Sequence, residues 1–158
     1  CGNGGGGLTP VSSSAHPGRD TFTFAACLPN IDHACAQVER FLTAHQVHEG
    51  HFEILLVLRE LLNNAVMHGC RQDSGKQVRV TMELADAVLK VQVADQGAGF
   101  DWRQRQYWSQ PDLNACSGRG LSIIEHYSDS YAFNTEGNMV TFTKKIQRPS
   151  VSMASEKR

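Results

Sequence analysis

The 158-residue chain has no apolar run near the ~20 residues that a membrane-spanning helix needs, so no transmembrane helix is expected. Its opening has no apolar stretch of the kind a secretory signal carries. Charge of one sign is missing too. Fifteen Lys and Arg stand against sixteen Asp and Glu, a formal net charge of −1. Without a basic field, nucleic acid is a poor partner. The cysteines are Cys1, Cys27, Cys35, Cys70 and Cys116, an odd number with no Cys-x-x-Cys pair. Reduced thiols in a cytoplasmic protein are the simplest reading. No internal repeat is present. No G-x-x-x-x-G-K-[ST] run occurs, which excludes a P-loop enzyme.

What is present is an ordinary globular balance, 41% hydrophobic and 20% charged, in a length that fits one domain. The first methionine is Met67 and the chain starts at Cys1, so it reads as a piece of a longer protein. Residues 1–20 are rich in Gly, Ser and Pro and read as a disordered linker or tag. A folded domain is expected over 21–147, followed by a flexible tail over 148–158.

Within 21–147 the hydrophobic period changes in an informative order. Phe22, Phe24 and Ala26 alternate as in a strand. Asn30 is placed to cap a helix bearing Ile31, Ala34, Cys35, Val38, Phe41 and Leu42. A second helix is expected from Gly50 to His68, with Gly69 as its C′ residue. Two alternating runs follow, Val78 to Leu84 and Leu89 to Val93, with a turn near Asp86. A short helix over Gly120–Tyr127 and a hairpin turning at Gly137-Asn138 close the pattern. The order strand, two helices, hairpin, loop, helix, hairpin predicts an α+β fold. Its helices lie on one face of a mostly antiparallel sheet.

Three short elements carry chemistry. On the second helix, Glu60, Asn64 and His68 recur every fourth residue as a polar stripe. An amide oxygen is a hard neutral ligand suited to Mg²⁺, and a carboxylate one turn away can take a proton from an attacking hydroxyl. Simple solvation of an outer helix face gives the same stripe. Next, Asp95-Gln-Gly97-Ala-Gly99-Phe100 follows a strand. Its glycines permit close backbone approach to a ligand, and its Asp can accept a hydrogen bond from the exocyclic amine of adenine. An ordinary strand-to-loop turn looks the same, and no βαβ context makes this a dinucleotide fingerprint. Last, Ser117-Gly118-Arg119-Gly120-Leu121 precedes a helix, where free N–H groups and the helix dipole favour an anion. Arg119 can add charge at a terminal phosphate.

Glu60-Leu-Leu-Asn-Asn64-Ala-Val-Met-His68-Gly69, then Asp95-Gln-Gly97-Ala-Gly99, then Gly118-Arg119-Gly120-Leu121 together resemble the nucleotide-binding boxes of the GHKL ATPases. That superfamily includes gyrase, histidine kinases and MutL. Within it the chain is similar to the bacterial anti-sigma-factor serine/threonine kinases of partner-switching pathways, over about residues 21–146. The resemblance implies a two-layer α/β sandwich of the Bergerat type, with a mostly antiparallel mixed sheet. It implies ATP and Mg²⁺ as cofactors, with Asn64 on the metal, Glu60 as general base and Asp95 on adenine. His68, Gly97, Gly99, Gly118, Arg119, Gly120 and Leu121 complete the implied nucleotide site. The implied partner is a small antagonist protein with a phosphorylatable Ser or Thr, alongside a sigma factor or other regulator held inactive. A homodimer is compatible with this picture. Residues 101–117 would form the nucleotide lid.

Three alternatives compete with a kinase. One is an ATP-binding interaction module with little transfer activity. Another is the catalytic domain of a two-component histidine kinase, although no His lies in a dimerising helical hairpin. The third is a metal site at His45, His48 and His51, whose spacing gives no convincing four-ligand set.

Overall fold

A computed structural model describes residues 9–10, 18–99, 101 and 120–147. Of the expected lid over 101–117 only Asp101 is described; residues 102–117, together with Phe100, Gly118 and Arg119, lie outside the described residues. The elements are β1 (Thr9–Pro10), β2 (Arg19–Ala25), α1 (Pro29–Ala44), α2 (His51–Asn64), a π-helical turn (Ala65–Gly69), β3 (Gln77–Ala85), β4 (Val88–Asp95), α3 (Gly120–Tyr127), β5 (Ser130–Phe133) and β6 (Met139–Lys145).

The strands form one sheet in the order β1-β2-β3-β4-β6-β5, and every pairing among them is antiparallel. Register follows the alternation of side chains. Phe22 pairs with Val80, Val80 with Val93, Val93 with Val140, and Val140 with Phe133. These residues form an apolar row that faces the helices and joins a single core with Ile54, Leu58 and Leu61 of α2. The neighbouring row, Thr21, Thr81, Gln92 and Thr141, points the other way and is linked by side-chain hydrogen bonds. The α+β fold with helices on one face is therefore the one observed. α2 is the central helix and packs against both α1 and α3.

Four details differ from the sequence expectation. Thr9–Pro10, inside the stretch read as linker, pairs with β2 as an edge strand, the position in a sheet that tolerates proline. Asn30 does not cap α1. Pro29 begins that helix, where its fixed φ and missing N–H suit the first turn, and Asn30 instead donates from Nδ2 to the Ala25 carbonyl at 3.0 Å. The last hairpin turns through Thr135 to Asn138 rather than through Gly137-Asn138 alone.

The fourth concerns the end of the second helix. α2 does not run on regularly to His68. It changes to π winding at Ala65, with the Cys70 N–H donating to the Ala65 carbonyl at 2.8 Å. Gly69 is not a left-handed cap, since it is absent from the positive-φ glycines. Its role is close approach: a Cβ there would stand 2.5 Å from the Asp95 carboxylate.

Candidate functional site

Asn64 ends α2 and Asp95 ends β4. The fold brings both, from 31 positions apart, onto one open recess whose other walls include Ala65, Val93, Asn138 and Met139. The Nδ2 of Asn64 is buried there with no hydrogen-bond partner among the described residues. A buried amide without a partner carries an energetic cost that a ligand can remove.

Asp95 is held from two sides. Its Oδ1 accepts the Gly97 N–H at 2.8 Å, and its own N–H donates to the Asn138 carbonyl at 2.9 Å. Burial pushes its carboxyl above the ordinary value of 3.8, against the pull of the Gly97 N–H and the Lys76 charge. Its second oxygen has no hydrogen bond among the described residues and can accept one.

The glycines let these parts meet. A Cβ on Gly97 would lie 2.0 Å from the Gly69 carbonyl oxygen. Gly99, at φ +83°, would bring a Cβ within 1.8 Å of the Glu136 carbonyl oxygen. The loop after β4 therefore touches the π turn on one side and the β5–β6 hairpin on the other. No side chain fits at either contact.

Glu60 sits one turn before Asn64 on α2 and is half-buried. Burial raises its carboxyl above the usual 4.5, toward the range in which a carboxylate works as a general base. His68 lies in the π turn and is exposed. Gly120 is buried at the start of α3, and Leu121 packs against the core. α3, which begins at Gly120, packs against α2, the helix that carries Glu60 and Asn64.

Sequence reasoning passed over Asn138 and Met139, which line the recess from the last hairpin, and Asn134, which hydrogen-bonds Asn138. The only local signal was the Gly137-Asn138 pair, read as a turn. Among the described residues no group of His, Cys, Asp and Glu gathers to hold a metal ion. His45 instead bonds the Phe41 carbonyl at 2.8 Å, and His51 meets the Val47 carbonyl.

A histidine kinase-like ATPase domain model matches residues 24–144, so the chain belongs to that family. Among curated relatives, the anti-sigma F factor of Shouchella clausii (strain KSM-K16) is 37% identical over 79 residues, covering 48% of this chain and 53% of that protein. The anti-sigma F factor of Pasteuria penetrans is 34% identical over 103 residues, covering 60% of this chain and 68% of that protein. That of Bacillus subtilis (strain 168) is 28% identical over 106 residues, covering 65% and 72%. The match thus spans about half the length of the first of these relatives.

Proposed function

We propose that the chain is an anti-sigma-factor-like protein serine/threonine kinase that uses ATP with Mg²⁺ to phosphorylate a small antagonist protein. The observation that supports this most is the pairing of Asn64 with Asp95 across one recess, with the Asn64 amide buried and unpartnered. An unpartnered amide fits the ion chemically, because turning it by 180° presents its oxygen, a hard donor, at the same place. Asn64 would hold Mg²⁺, which when bound supplies positive charge against the triphosphate.

The chain's own groups do the rest. Asp95 accepts the exocyclic amine of adenine. Gly97 and Gly99 shape the loop around the base. Gly118 and Gly120 offer N–H groups at the start of α3 to the phosphates, Arg119 adds charge, and His68 and Leu121 complete the nucleotide set. Glu60 takes the proton of the acceptor hydroxyl. That oxygen bonds to the γ-phosphorus as the bond to the bridging oxygen breaks, and ADP leaves with the electron pair. Such transfer depends mainly on positioning and charge, so this small residue set suffices.

The names of the curated relatives support a sigma factor, or a regulator used in the same way, as the second partner. The antagonist and the regulator would then compete for the kinase. No helix among the described residues is long and apolar enough to cross a membrane. A cytoplasmic site of action is part of the proposal.

The test is incubation with Mg²⁺, γ-labelled ATP and an antagonist-type protein shown by pull-down to associate with this chain. Label on a Ser or Thr of that protein is expected. ATP binding without transfer to a partner that demonstrably associates would leave an ATP-dependent interaction module in place of a kinase.

A further inference from the structure

The β5–β6 hairpin loop holds a side-chain network with no part in the roles assigned above. Asn134 stands at its start and Asn138 at its end. The Asn134 Oδ1 accepts the backbone N–H groups of Asn138 at 3.0 Å and Met139 at 3.1 Å. Its Nδ2 donates to the Asn138 Oδ1 at 2.6 Å. That bond turns the Asn138 Nδ2 toward the loop after β4, where it donates to the Gly97 carbonyl at 3.5 Å. The Asn138 carbonyl accepts the Asp95 N–H at 2.9 Å. Gly97 in turn donates its N–H to the Asp95 carboxylate. Asp95 and Asn138 line the same recess.

The chain of contacts Asn134, Asn138, Gly97, Asp95 thus runs from a hairpin turn to one carboxylate. A carboxylate that reads one amine must hold its free oxygen to within a fraction of an ångström, and its own rotamer alone does not ensure this. Asp95 is half-buried and its burial disfavours the charged form, so every donor around it matters. We infer that Asn134 and Asn138 are positioning residues that clasp the Gly97 loop to the hairpin and thereby aim Asp95 at the exocyclic amine of the base. The clasp tunes which purine the site takes, in addition to how tightly it binds. This inference rests on Asp95 as the acceptor for the adenine amine.

The experiment compares ATP with inosine triphosphate, which lacks that amine, by titration calorimetry on the full chain with Mg²⁺. Wild type is expected to prefer ATP, and Asp95→Asn to bring the ratio close to one. Asn138→Ala removes the donor to Gly97 and is expected to lower the ATP-to-inosine-triphosphate ratio about three- to tenfold, the range of one net hydrogen bond. In the Asp95→Asn background the same change should leave the ratio unaltered.

Asn134→Asp is the second variant. It keeps the acceptor for both backbone N–H groups, hence the turn, but sets a carboxylate oxygen against the Asn138 Oδ1, so the Asn138 amide turns over and its Nδ2 no longer faces Gly97. It should lower the ratio in the same direction without lowering the melting temperature. A merely structural hairpin would weaken both nucleotides equally, and an unchanged ratio in both asparagine variants overturns the clasp. If Asp95→Asn itself leaves the ratio unchanged, the adenine role of Asp95 falls and the clasp falls with it.

Discussion

An aspartate stands near each end of β4, and the two ends differ. Before the strand, Asp86 and Ala87 form the two-residue turn of the β3–β4 hairpin, both at positive φ and with Asp86 exposed. Such a turn follows from local geometry, because its twist matches that of the strands it joins. After the strand, Asp95 is half-buried between a π turn, a glycine loop and a second hairpin. Three segments distant in sequence meet there with backbone in contact. The first end is an ordinary way to reverse a chain. The second leaves an amide unpartnered and holds a carboxylate against its preference for water, features that reduce stability and are expected where a ligand completes the structure.

The sharpest way to break this contrast is to remove the chemistry from the crowded end. Glu60→Gln should keep nucleotide affinity and slow phosphoryl transfer by about 100- to 10,000-fold, as read in single-turnover assays with labelled ATP. Full transfer activity in that variant would end the assignment of Glu60 as base. Gly97→Ala attacks the packing. Its Cβ would meet the Gly69 carbonyl at 2.0 Å, so a loss of about 3 kcal/mol in chemical denaturation is expected, together with loss of nucleotide binding. Asn64→Ala should lower Mg²⁺-dependent ATP affinity by about 100-fold, measured by calorimetry with and without the ion. The folded protein should tolerate it, since the buried Asn64 Nδ2 has no hydrogen-bond partner among the described residues.

Asp95→Asn sharpens the comparison through pH. The folded protein holds this carboxyl above its ordinary 3.8, so its contribution to stability is fully present below that value and is lost as pH rises through the raised one. At neutral pH the charge therefore costs stability. Asp95→Asn should melt above wild type at pH 7, with the advantage shrinking as pH falls through the raised value and gone below about 4, while ATP affinity drops about tenfold or more. A variant that melts lower at pH 7 would show that Asp95 supports the fold rather than the ligand. The smallest effect belongs to the other end of the strand. Ala87 sits at φ +59°, a region that costs an L-residue about 1–2 kcal/mol, so Ala87→Gly should raise stability by up to about 1 kcal/mol and leave nucleotide binding alone.

The regular parts of the fold were legible because each strand buries one face. The alternation Phe22-Phe24, Val78-Val80-Met82 and Leu89-Val91-Val93 reappears as core rows in register. The stripe on α2 was legible up to Asn64 for the same kind of reason. The π winding that carries His68 was not legible, because nothing in Ala65-Val66-Met67-His68-Gly69 announces it. Gly69 was visible as a glycine and misread as a cap. Its true neighbour is Asp95, 26 positions away in the chain. Asn30 shows the converse error, since a capping residue type was outweighed by the adjacent Pro29, which starts the helix itself.

By itself, the sequence determined the residue types of a nucleotide site and the elements that carry them. Helical and strand periods, and glycines at turns, are local properties of a chain. Only the tertiary structure decided that the end of α2, the end of β4 and the β5–β6 hairpin close on one recess, and that Asn134, Asn138 and Met139 belong with it. The reason is physical. Those contacts are made by backbone carbonyls and amides across glycine gaps, and their partners are chosen by sheet order and helix packing rather than by any neighbour in the chain.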